Sequence, residues 1–229
     1  TILILAIITG VAYYFITTNN RKYEIEKVEQ YNYFVLKQNG KTGVIDRSGN
    51  IVIDAKYDDI KIPNPQKDVF VCYNEGNSQI LNSQKEQILT NYQNIEPIRL
   101  QNIASNLMFE KSVLSYKEND KYGLISFQGK KITKPIYDEI SGLSYKEGEL
   151  LVKQNDKYGV INIKGHKLID IEYDKIAVDG YYTNDDGYKK AGYIITTTTQ
   201  EGYRYGYINY NGKLILKPEY NELSRITDI

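Results

Sequence analysis

The sequence predicts an all-β protein made of five tandem repeats, each folding as an antiparallel meander of three to four strands. In four copies two glycines stand six residues apart, and a tyrosine follows the second glycine by eight residues. Self-similarity on this length scale indicates a repeat architecture. The pattern consists of Gly43, Gly49 and Tyr57; Gly123, Gly129 and Tyr137; Gly159, Gly165 and Tyr173; and Gly206, Gly212 and Tyr220.

A fifth, degenerate copy lies between the first two regular copies. Gln79 and Lys85 replace its two glycines, whereas Tyr92 and Ile95 are retained. Each repeat contacts mainly its neighbours in such arrays, so the hydrophobic core is spread along the chain. We assign the array to residues 21-229 and its repeats to residues 34-60, 69-95, 114-140, 150-176 and 194-223.

The first 18 residues carry no charged side chain. A helix of this length can cross about 30 Å of hydrocarbon. Tyr13 and Tyr14 fall where aromatic rings favour the membrane interface, and Arg21 and Lys22 follow in the headgroup region. These features predict an N-terminal transmembrane helix within residues 1-20, with the repeats outside the cytoplasm. A cleaved secretory signal peptide and a buried strand or helix are the alternatives.

Each regular repeat contains a β-hairpin signal. In the first copy, Lys41 to Asp46 and Asn50 to Asp54 are rich in Val and Ile and are joined by a turn that ends at Gly49. Aspartate can bond the turn backbone, and glycine accepts the positive φ that restores the strand twist. The other turns use Ser126 and Gly129, Asn162 and Gly165, and Asn209 and Gly212. The degenerate copy has Asn82 but Lys85, so we expect a looser turn there.

The first glycine of each pair lies in mid-strand, where only a close neighbour explains a missing side chain. We expect a ring or a backbone over it, most plausibly the ring of the tyrosine after the turn. Apolar strands precede the hairpins: Phe34 to Leu36, Val69 to Val71, Leu150 to Val152, and Ile194 to Thr196. The tail Tyr57 to Ile60 is expected to be a short fourth strand or a turn between units. Tyr23-Glu24-Ile25 resembles this tail and is expected to cap the first repeat.

These motifs resemble the WG (KWG) repeat family of bacterial β-rich units. The resemblance covers about residues 34 to 223, with Tyr122, Tyr158 and Tyr205 in place of the signature tryptophan and Thr42 in the first copy. It implies variable copy number, which favours an open twisted array over a β-propeller-like ring, and it implies no catalytic residues. Choline-type cell-wall-binding repeats share the aromatic-glycine hairpin. Their period is about half as long, and their cages use tryptophan, which this chain lacks.

The chain offers little material for catalysis. The only histidine, His166, stands at a turn exit and is expected to be exposed, so neither a zinc site nor a catalytic triad is predicted. The carboxylates of Asp58, Asp138 and Asp174 recur with the repeat, which is typical of turn or capping residues. We predict no catalytic, cofactor-binding or metal site and no cofactor. A hydrolase using two carboxylates is a remote alternative.

Two insertions interrupt the repeat spacing. Ala177 to Gly192 contains Asn184-Asp185-Asp186-Gly187, which lacks the ligand spacing of an EF-hand loop and is expected to be an exposed turn. Glu96 to Val113 is expected to be a short helix or a long loop. Loops of this kind are where repeat scaffolds vary their contacts, so both insertions are candidates for recognition.

Charge and thiol content limit the partners. Lysine plus arginine equal aspartate plus glutamate at 29 each, so no strong field draws nucleic acid. Cys72 is the only cysteine, and it is expected to be a small apolar strand residue. The sequence therefore predicts a non-enzymatic, membrane-anchored repeat module. Its expected partner is a protein or cell-envelope component, with cell-wall glycan as the alternative, and its membrane contact runs through residues 1-18.

Overall fold

The computed structural model describes residues 31–92, 94–100, 109–143, 148–183 and 187–224. Within these ranges the regular structure is entirely β, with 18 strands in five small antiparallel sheets. The described residues contain no helix of the length and apolarity needed to cross a membrane. The transmembrane helix predicted in residues 1-20 and the cap predicted at Tyr23-Glu24-Ile25 lie outside the described residues.

Strands that follow each other in a sheet also follow each other in the chain. The first sheet contains β1 (Tyr33–Gln38), β2 (Lys41–Asp46) and β3 (Ile51–Tyr57). The second contains β4 (Asp59–Lys61), β5 (Phe70–Asn74), β6 (Asn77–Leu81) and β7 (Gln87–Ile88). The third contains β8 (Glu96–Arg99), β9 (Phe109–Glu118) and β10 (Lys121–Ser126). The fourth contains β11 (Glu139–Gly142), β12 (Glu149–Gln154), β13 (Lys157–Asn162) and β14 (Lys167–Tyr173). The fifth contains β15 (Lys175–Thr183), β16 (Gly187–Thr199), β17 (Gly202–Asn209) and β18 (Leu214–Tyr220).

The tail of each repeat becomes the first strand of the next sheet. β4 begins two residues after Tyr57 and pairs with β5, with Ile60 opposite Cys72. The strands β8, β11 and β15 pair with β9, β12 and β16 in the same way. The expected short fourth strand is therefore confirmed, but it belongs to the following sheet. Consecutive repeats are joined by shared β-sheet as well as by packed side chains.

Four hydrophobic core clusters lie between consecutive sheets. Between the first and second sheets, Val44, Ile53 and Tyr57 pack against Phe70 and Cys72. The other clusters join the second sheet to the third, the third to the fourth and the fourth to the fifth. Among the described residues no cluster joins the fifth sheet to the first. The exposed large apolar side chains of these two end sheets include Phe34, Val35, Ile51, Tyr203, Tyr210, Leu214, Ile215 and Tyr220.

The predicted turn chemistry is confirmed. The Gly49 N–H donates to the carbonyl oxygen of Asp46 at 3.0 Å, and the Asp46 carboxylate accepts from the N–H of Asn50 at 2.9 Å. Gly49 has φ +84°, in the left-handed region that the turn requires. The looser turn expected in the second repeat is wrong. The N–H of Lys85, which has φ +65°, still donates to the carbonyl oxygen of Asn82 at 3.1 Å, and Asn82 Oδ1 accepts from the N–H of Glu86 at 2.8 Å.

The backbone of the third strand lies over each mid-strand glycine, and at Gly123 the ring of Tyr116 lies closer still, 2.6 Å from where a Cβ would be. A Cβ on Gly43 would lie 2.5 Å from the Ile53 carbonyl oxygen, and one on Gly159 would lie 2.8 Å from that of Ile169. The third strand of the repeat bulges over the glycine, so a side chain there would collide with the main chain. The expected close neighbour is confirmed, but its assignment to the tyrosine after the turn is wrong. That tyrosine instead pairs with the residue preceding the glycine, as Tyr173 does with Tyr158.

The described parts of both insertions are largely strand. Ala177 to Gly192 extends the hairpin of β15 and β16, whose tip lies outside the described residues. Both ends of Glu96 to Val113 are strands, belonging to β8 and β9. The expectation of a helix or loop is therefore wrong for these ends, while Ile103 and Leu107 lie outside the described residues. Pairing with β9 is a non-local interaction that the spacing of apolar residues does not reveal.

Candidate functional site

The carboxylates that recur with the repeat tie consecutive repeats together. Asp58 Oδ1 lies 2.7 Å from Lys41 Nζ in its own repeat, and Asp58 Oδ2 accepts from the backbone N–H of Glu75 in the next sheet at 2.8 Å. Asp138 makes the same two contacts, with Lys121 and Asn155. Asp174 makes them with Lys157 and Thr198. We call these three groups the aspartate bridges.

The aspartate bridges favour the ionised carboxylate. The hydrogen bond from Lys41, followed by that from the Glu75 N–H, lowers the pKa of Asp58 below its ordinary value. The pKa of Asp138 is lowered by the hydrogen bond from Lys121 and then by that from the Asn155 backbone. In each of these carboxylates one oxygen bonds a lysine of the same repeat and the other accepts from a backbone N–H of the next sheet. Their recurrence with the repeat thus has a structural role, but that role is to bridge repeats.

His166 lies where the sequence places it. It is exposed at the turn exit of the fourth repeat, and its backbone N–H donates to Asn162 Oδ1 at 2.9 Å. In the described part of the chain, no three His, Cys, Asp or Glu side chains lie close enough to hold a metal ion. Cys72 is fully buried in the core between the first two sheets, as predicted, and burial raises the pKa of its thiol to about 12.

The tyrosines that follow the turns are core residues. Tyr57, Tyr137 and Tyr173 have only 5 to 7% of their surface exposed, and each packs in the cluster between its own sheet and the next. Tyr220 holds the same position in the fifth sheet, which no described sheet follows, and is 47% exposed. This contrast supports packing between repeats over the alternative of a tyrosine-lined ligand groove.

The second repeat breaks the pattern at its third strand. Its strand β7 contains only Gln87–Ile88, whereas β14 contains seven residues, Lys167–Tyr173. The sequence between the turn and the tyrosine is one residue shorter than in the regular repeats. Leu89 adopts φ +57° and Asn94 φ +52°, so the backbone turns away from β6 directly after β7. Tyr92 then donates its hydroxyl to the Gly129 carbonyl oxygen of the third repeat at 2.8 Å.

Gln79 accounts for the loss of the bulge. It occupies the mid-strand position of Gly43, where even a Cβ would approach the third-strand backbone to 2.5 Å. Its side chain instead reaches the preceding sheet and donates from Nε2 to the Tyr57 hydroxyl at 2.8 Å. The third strand therefore cannot follow the path that it takes over the glycines of the regular repeats. The replacement that makes this copy look degenerate has a specific structural consequence.

The departure of the third strand leaves a cavity of about 360 Å³ beside β6. We call it the second-repeat cavity. Its wall combines aromatic rings, amides, hydroxyls and one carboxylate, from Tyr73, Asn77, Ser78, Gln87, Tyr92 and Glu96 among others. A second cavity of about 590 Å³, bounded by the hairpin turn of the third repeat, shares Asn94 with it. The two form neighbouring recesses on one side of the array.

A backbone edge is open in the second-repeat cavity. In the third repeat, Tyr122 exchanges two backbone hydrogen bonds with Tyr137, of 2.7 and 3.1 Å. Ser78 holds the position of Tyr122 but pairs only with Tyr73, on the other side of β6, among the described residues. The backbone groups that Tyr122 uses are thus without a strand partner at Ser78. The cavity presents one N–H and one C=O at its floor.

The charge at the cavity wall is locally compensated. Tyr73 donates its hydroxyl to Glu96 Oε2, and Lys61 Nζ lies 3.8 Å from the same oxygen. Lys61 Nζ also lies 4.1 Å from the centroid of the Tyr73 ring. Burial, and then the hydrogen bond to Glu96, raises the pKa of Tyr73, so its phenol stays neutral. The remaining wall favours a ligand with neutral hydrogen-bonding groups.

Sequence reasoning missed this cavity. Its signal was the replacement of the first glycine by Gln79 and the seven-residue interval from Lys85 to Tyr92. The glycine replacement by itself indicates only a degenerate copy, because the steric role of the glycine requires knowledge of the strand that covers it. The cavity also includes Glu96, which belongs to one of the two insertions nominated for recognition.

Comparison with known proteins agrees with this architecture. A family model described as WG containing repeat matches residues 43–64, 122–158, 158–184 and 205–228. The repeat with the cavity lies between the first two matched segments. A search of curated proteins found no significant match. Each matched segment contains the turn glycine and the tyrosine that follows it, and in the first three segments the structure places this tyrosine at the junction between sheets. The four matched segments of this chain belong to the WG repeat family.

Proposed function

We propose that this chain is a non-enzymatic module that binds a protein or another component of the cell envelope, and that its N-terminal segment anchors it to a membrane. Its WG repeats belong to a non-catalytic repeat family, which supports a repeat module for protein interaction. The contacts of the repeated residues also support a structural role and no catalytic one. The aspartate bridges and the buried tyrosines are committed to joining the repeats.

The observation that carries the proposal is the interruption at the second repeat. A repeat array makes binding surfaces by varying single units on a constant scaffold. Here the third strand of one unit is shortened to two residues and the second-repeat cavity opens beside it, while both neighbouring sheets keep their packing through the clusters on either side. The cavity is large enough for one or two side chains of a partner.

The proposed scaffold is an open array on the outside of a bacterial membrane. The four clusters between consecutive sheets and the exposed apolar residues of the two end sheets support open stacking over ring closure. The uncharged residues 1-18, followed by Arg21 and Lys22, support the anchor. In this arrangement the repeats reach partners in the cell envelope.

The test compares two binding assays with the full chain. Cross-linking and pull-down from envelope fractions should recover a protein partner, and sedimentation with purified cell wall should leave the chain in the supernatant. A Thr90→Trp variant, which fills the second-repeat cavity from its exposed rim, should lose the partner. If the wild type and the variant recovered the same partner, the binding surface would not be the second-repeat cavity but another part of the array.

Cell-wall glycan is a second candidate, and the composition of the cavity favours it. Asn77, Gln87 and Asn94 offer side-chain amides, and Tyr73 and Tyr92 offer rings on the same cavity wall. Amides donate and accept hydrogen bonds at once, which suits sugar hydroxyls. Co-sedimentation with purified wall that is abolished by Thr90→Trp would establish this candidate in place of a protein partner.

A further inference from the structure

We propose that the second-repeat cavity binds an extended peptide segment of a partner protein, and that one residue of this segment exchanges two backbone hydrogen bonds with Ser78. The inference rests on the proposed function and names the partner's chemistry and its place of contact. The ligand would replace the part of the third strand that the second repeat lacks beyond β7.

The first support is the equivalence of Ser78 and Tyr122. Both stand directly before the mid-strand position, which is Gln79 in one repeat and Gly123 in the other. The backbone N–H of Tyr122 donates to the Tyr137 carbonyl oxygen, and the Tyr122 carbonyl oxygen accepts from the Tyr137 N–H. These two bonds attach the end of the third strand to the middle strand in the regular repeat. Ser78 presents the same pair of groups on the same side of its strand. An extended peptide supplies the matching acceptor and donor, since every residue of a strand carries both.

The second support is the hairpin that orients β6. Glu75 and Gly76 adopt φ +49° and +79°, as a two-residue turn requires. Asn74 and Asn77 close this turn and form a hydrogen-bonded pair, so the next residue, Ser78, directs its N–H and C=O away from β5. They point to the side on which β7 pairs with Ile80. The open edge is thus continuous with an existing strand pair.

The third support is the space beside this edge. Residues of a bound strand alternate in direction, and the side chain that faces the sheet needs a recess. The second-repeat cavity provides about 360 Å³ between Tyr73, Ile88 and Tyr92. Its one carboxylate, on Glu96, is already bonded by Tyr73 and lies near Lys61. We therefore expect an uncharged, medium-sized side chain in the recess.

The proposal predicts binding of peptides that have the sequences of this chain's own third strands. We choose four nine-residue probes, each of which contains a third strand with its tyrosine and ends at the residue after it. They are residues 50–58, 130–138, 166–174 and 213–221. Each probe is labelled and titrated against the full chain by fluorescence anisotropy up to about 1 mM. At least one should bind, because an open strand edge is a template for pairing. Failure of all four to bind would overturn the proposal.

Paired substitutions locate the binding. Ser78→Pro removes the outward N–H and should weaken binding about tenfold, the effect expected for one lost hydrogen bond with an unpaired partner group. Ser78→Ala keeps the backbone and should bind like the wild type. Proline is tolerated where the N–H faces away from the sheet, and circular dichroism with a melting curve confirms that each variant folds. Equal affinity of the two variants would overturn the proposal.

A cavity-filling variant supplies the second measurement. Thr90→Trp should weaken peptide binding about tenfold or more, and Lys164→Trp, on the exposed turn of the fourth repeat, should have no effect. The chain has no other tryptophan, so fluorescence reports whether the new ring is enclosed. Competition by an oligomer of N-acetylglucosamine in place of peptide would assign the cavity to glycan. A protein partner that is captured equally by Ser78→Pro would leave the proposed function standing and remove this inference alone.

Discussion

At the scale of the residue, tyrosines at equivalent positions show how much of their contribution to stability comes from packing against a neighbouring sheet. Tyr137 and Tyr173 are buried against a following sheet, whereas Tyr220 occupies the same position with no following sheet among the described residues. Burial against the next sheet, more than residue type, therefore decides what each ring contributes. Desolvation raises the pKa of Tyr173 to about 12, which keeps the phenol neutral in its core position.

We expect Tyr137→Ala and Tyr173→Ala to lower the free energy of unfolding by roughly 3 to 5 kcal/mol, as large aromatic-to-alanine changes in cores do. Tyr220→Ala is the matched control and should cost about 1 kcal/mol or less, because half of its ring already contacts water. Urea denaturation of the three variants measures these differences. Equal losses at all three positions would show that the following sheet is not what the ring stabilises.

The turn glycines are a second feature at the scale of the residue. Gly165 adopts φ +79°, and a Cβ there would lie 2.7 Å from Thr133 Cγ2 of the preceding repeat. A side chain at this position meets both backbone strain and a neighbouring repeat. His166, the next residue, has an exposed side chain and contributes its backbone to the turn, through its N–H to Asn162 Oδ1 and its carbonyl oxygen to the Asn162 N–H.

Gly165→Val should therefore reduce stability by about 1 to 3 kcal/mol, since a β-branched residue holds a positive φ poorly. His166→Ala should be nearly neutral. Thermal unfolding monitored by circular dichroism compares the two variants with the wild type. Comparable losses would mean that the backbone strain is not concentrated at Gly165.

At the scale of the element, the aspartate bridges couple a hairpin to the sheet that follows it. Asp58 holds Lys41 on one side and the Glu75 N–H on the other, across the point where the tail changes sheets. The tail is only three residues long in β4, so its pairing alone is a weak link. Hydrogen bonds to the ionised carboxylate strengthen that link.

This arrangement predicts acid sensitivity. The pKa values of Asp58, Asp138 and Asp174 are lowered in the folded chain, mainly by their lysine partners. The stability that they contribute is therefore complete above the unfolded-state pKa of about 4 and is lost as the pH falls through the lower folded-state values. We expect the melting temperature to fall steeply below about pH 4.

Asp58→Asn should lower the melting temperature at neutral pH and reduce its dependence on pH below about pH 4. The adjacent, exposed Asp59→Asn is the control and should leave both unchanged. Melting curves recorded from pH 7 to pH 2 make the comparison. An Asp58→Asn variant with the full acid-side slope of the wild type would contradict the assigned role of this bridge.

At the scale of the whole molecule, the array is stabilised by interfaces between neighbours. Each of the four clusters joins two consecutive sheets, and β-strands from two repeats complete each internal sheet. Stability in such an array is approximately a sum of repeat and interface contributions. Adding or removing a segment before the first sheet should therefore change the stability of the array little.

The proposed anchor makes a prediction at this scale. The intact chain should fractionate with membranes, because residues 1-18 are uncharged over the length of a bilayer crossing. Deletion of residues 1-20 should release the chain into the soluble fraction with its β-sheet circular dichroism unchanged. An intact, unprocessed chain found in the soluble fraction would contradict the anchor.

The sequence by itself determined the local features of this protein. Turns at Gly49 and its equivalents follow from backbone chemistry within four residues, and the alternating Val and Ile strands follow from the same short range. The sequence also predicts the strand position of Cys72 and a structural, non-catalytic role for the repeated aspartates. All of these depend on spacing that the sequence displays directly.

Only the tertiary structure decided which repeat receives each tail, what covers the mid-strand glycines and where the cavity opens. These outcomes depend on contacts between segments distant in the chain. Asp58 reaches Glu75, and Gln79 reaches Tyr57, across a sheet boundary. In the sequence, the replacement of glycine by Gln79 indicates only a degenerate repeat. In the structure, the Gln79 side chain prevents the third strand from continuing along β6, and the backbone edge at Ser78 stays open. The physical reason is steric: one added Cβ changes the path of a backbone that lies on top of it.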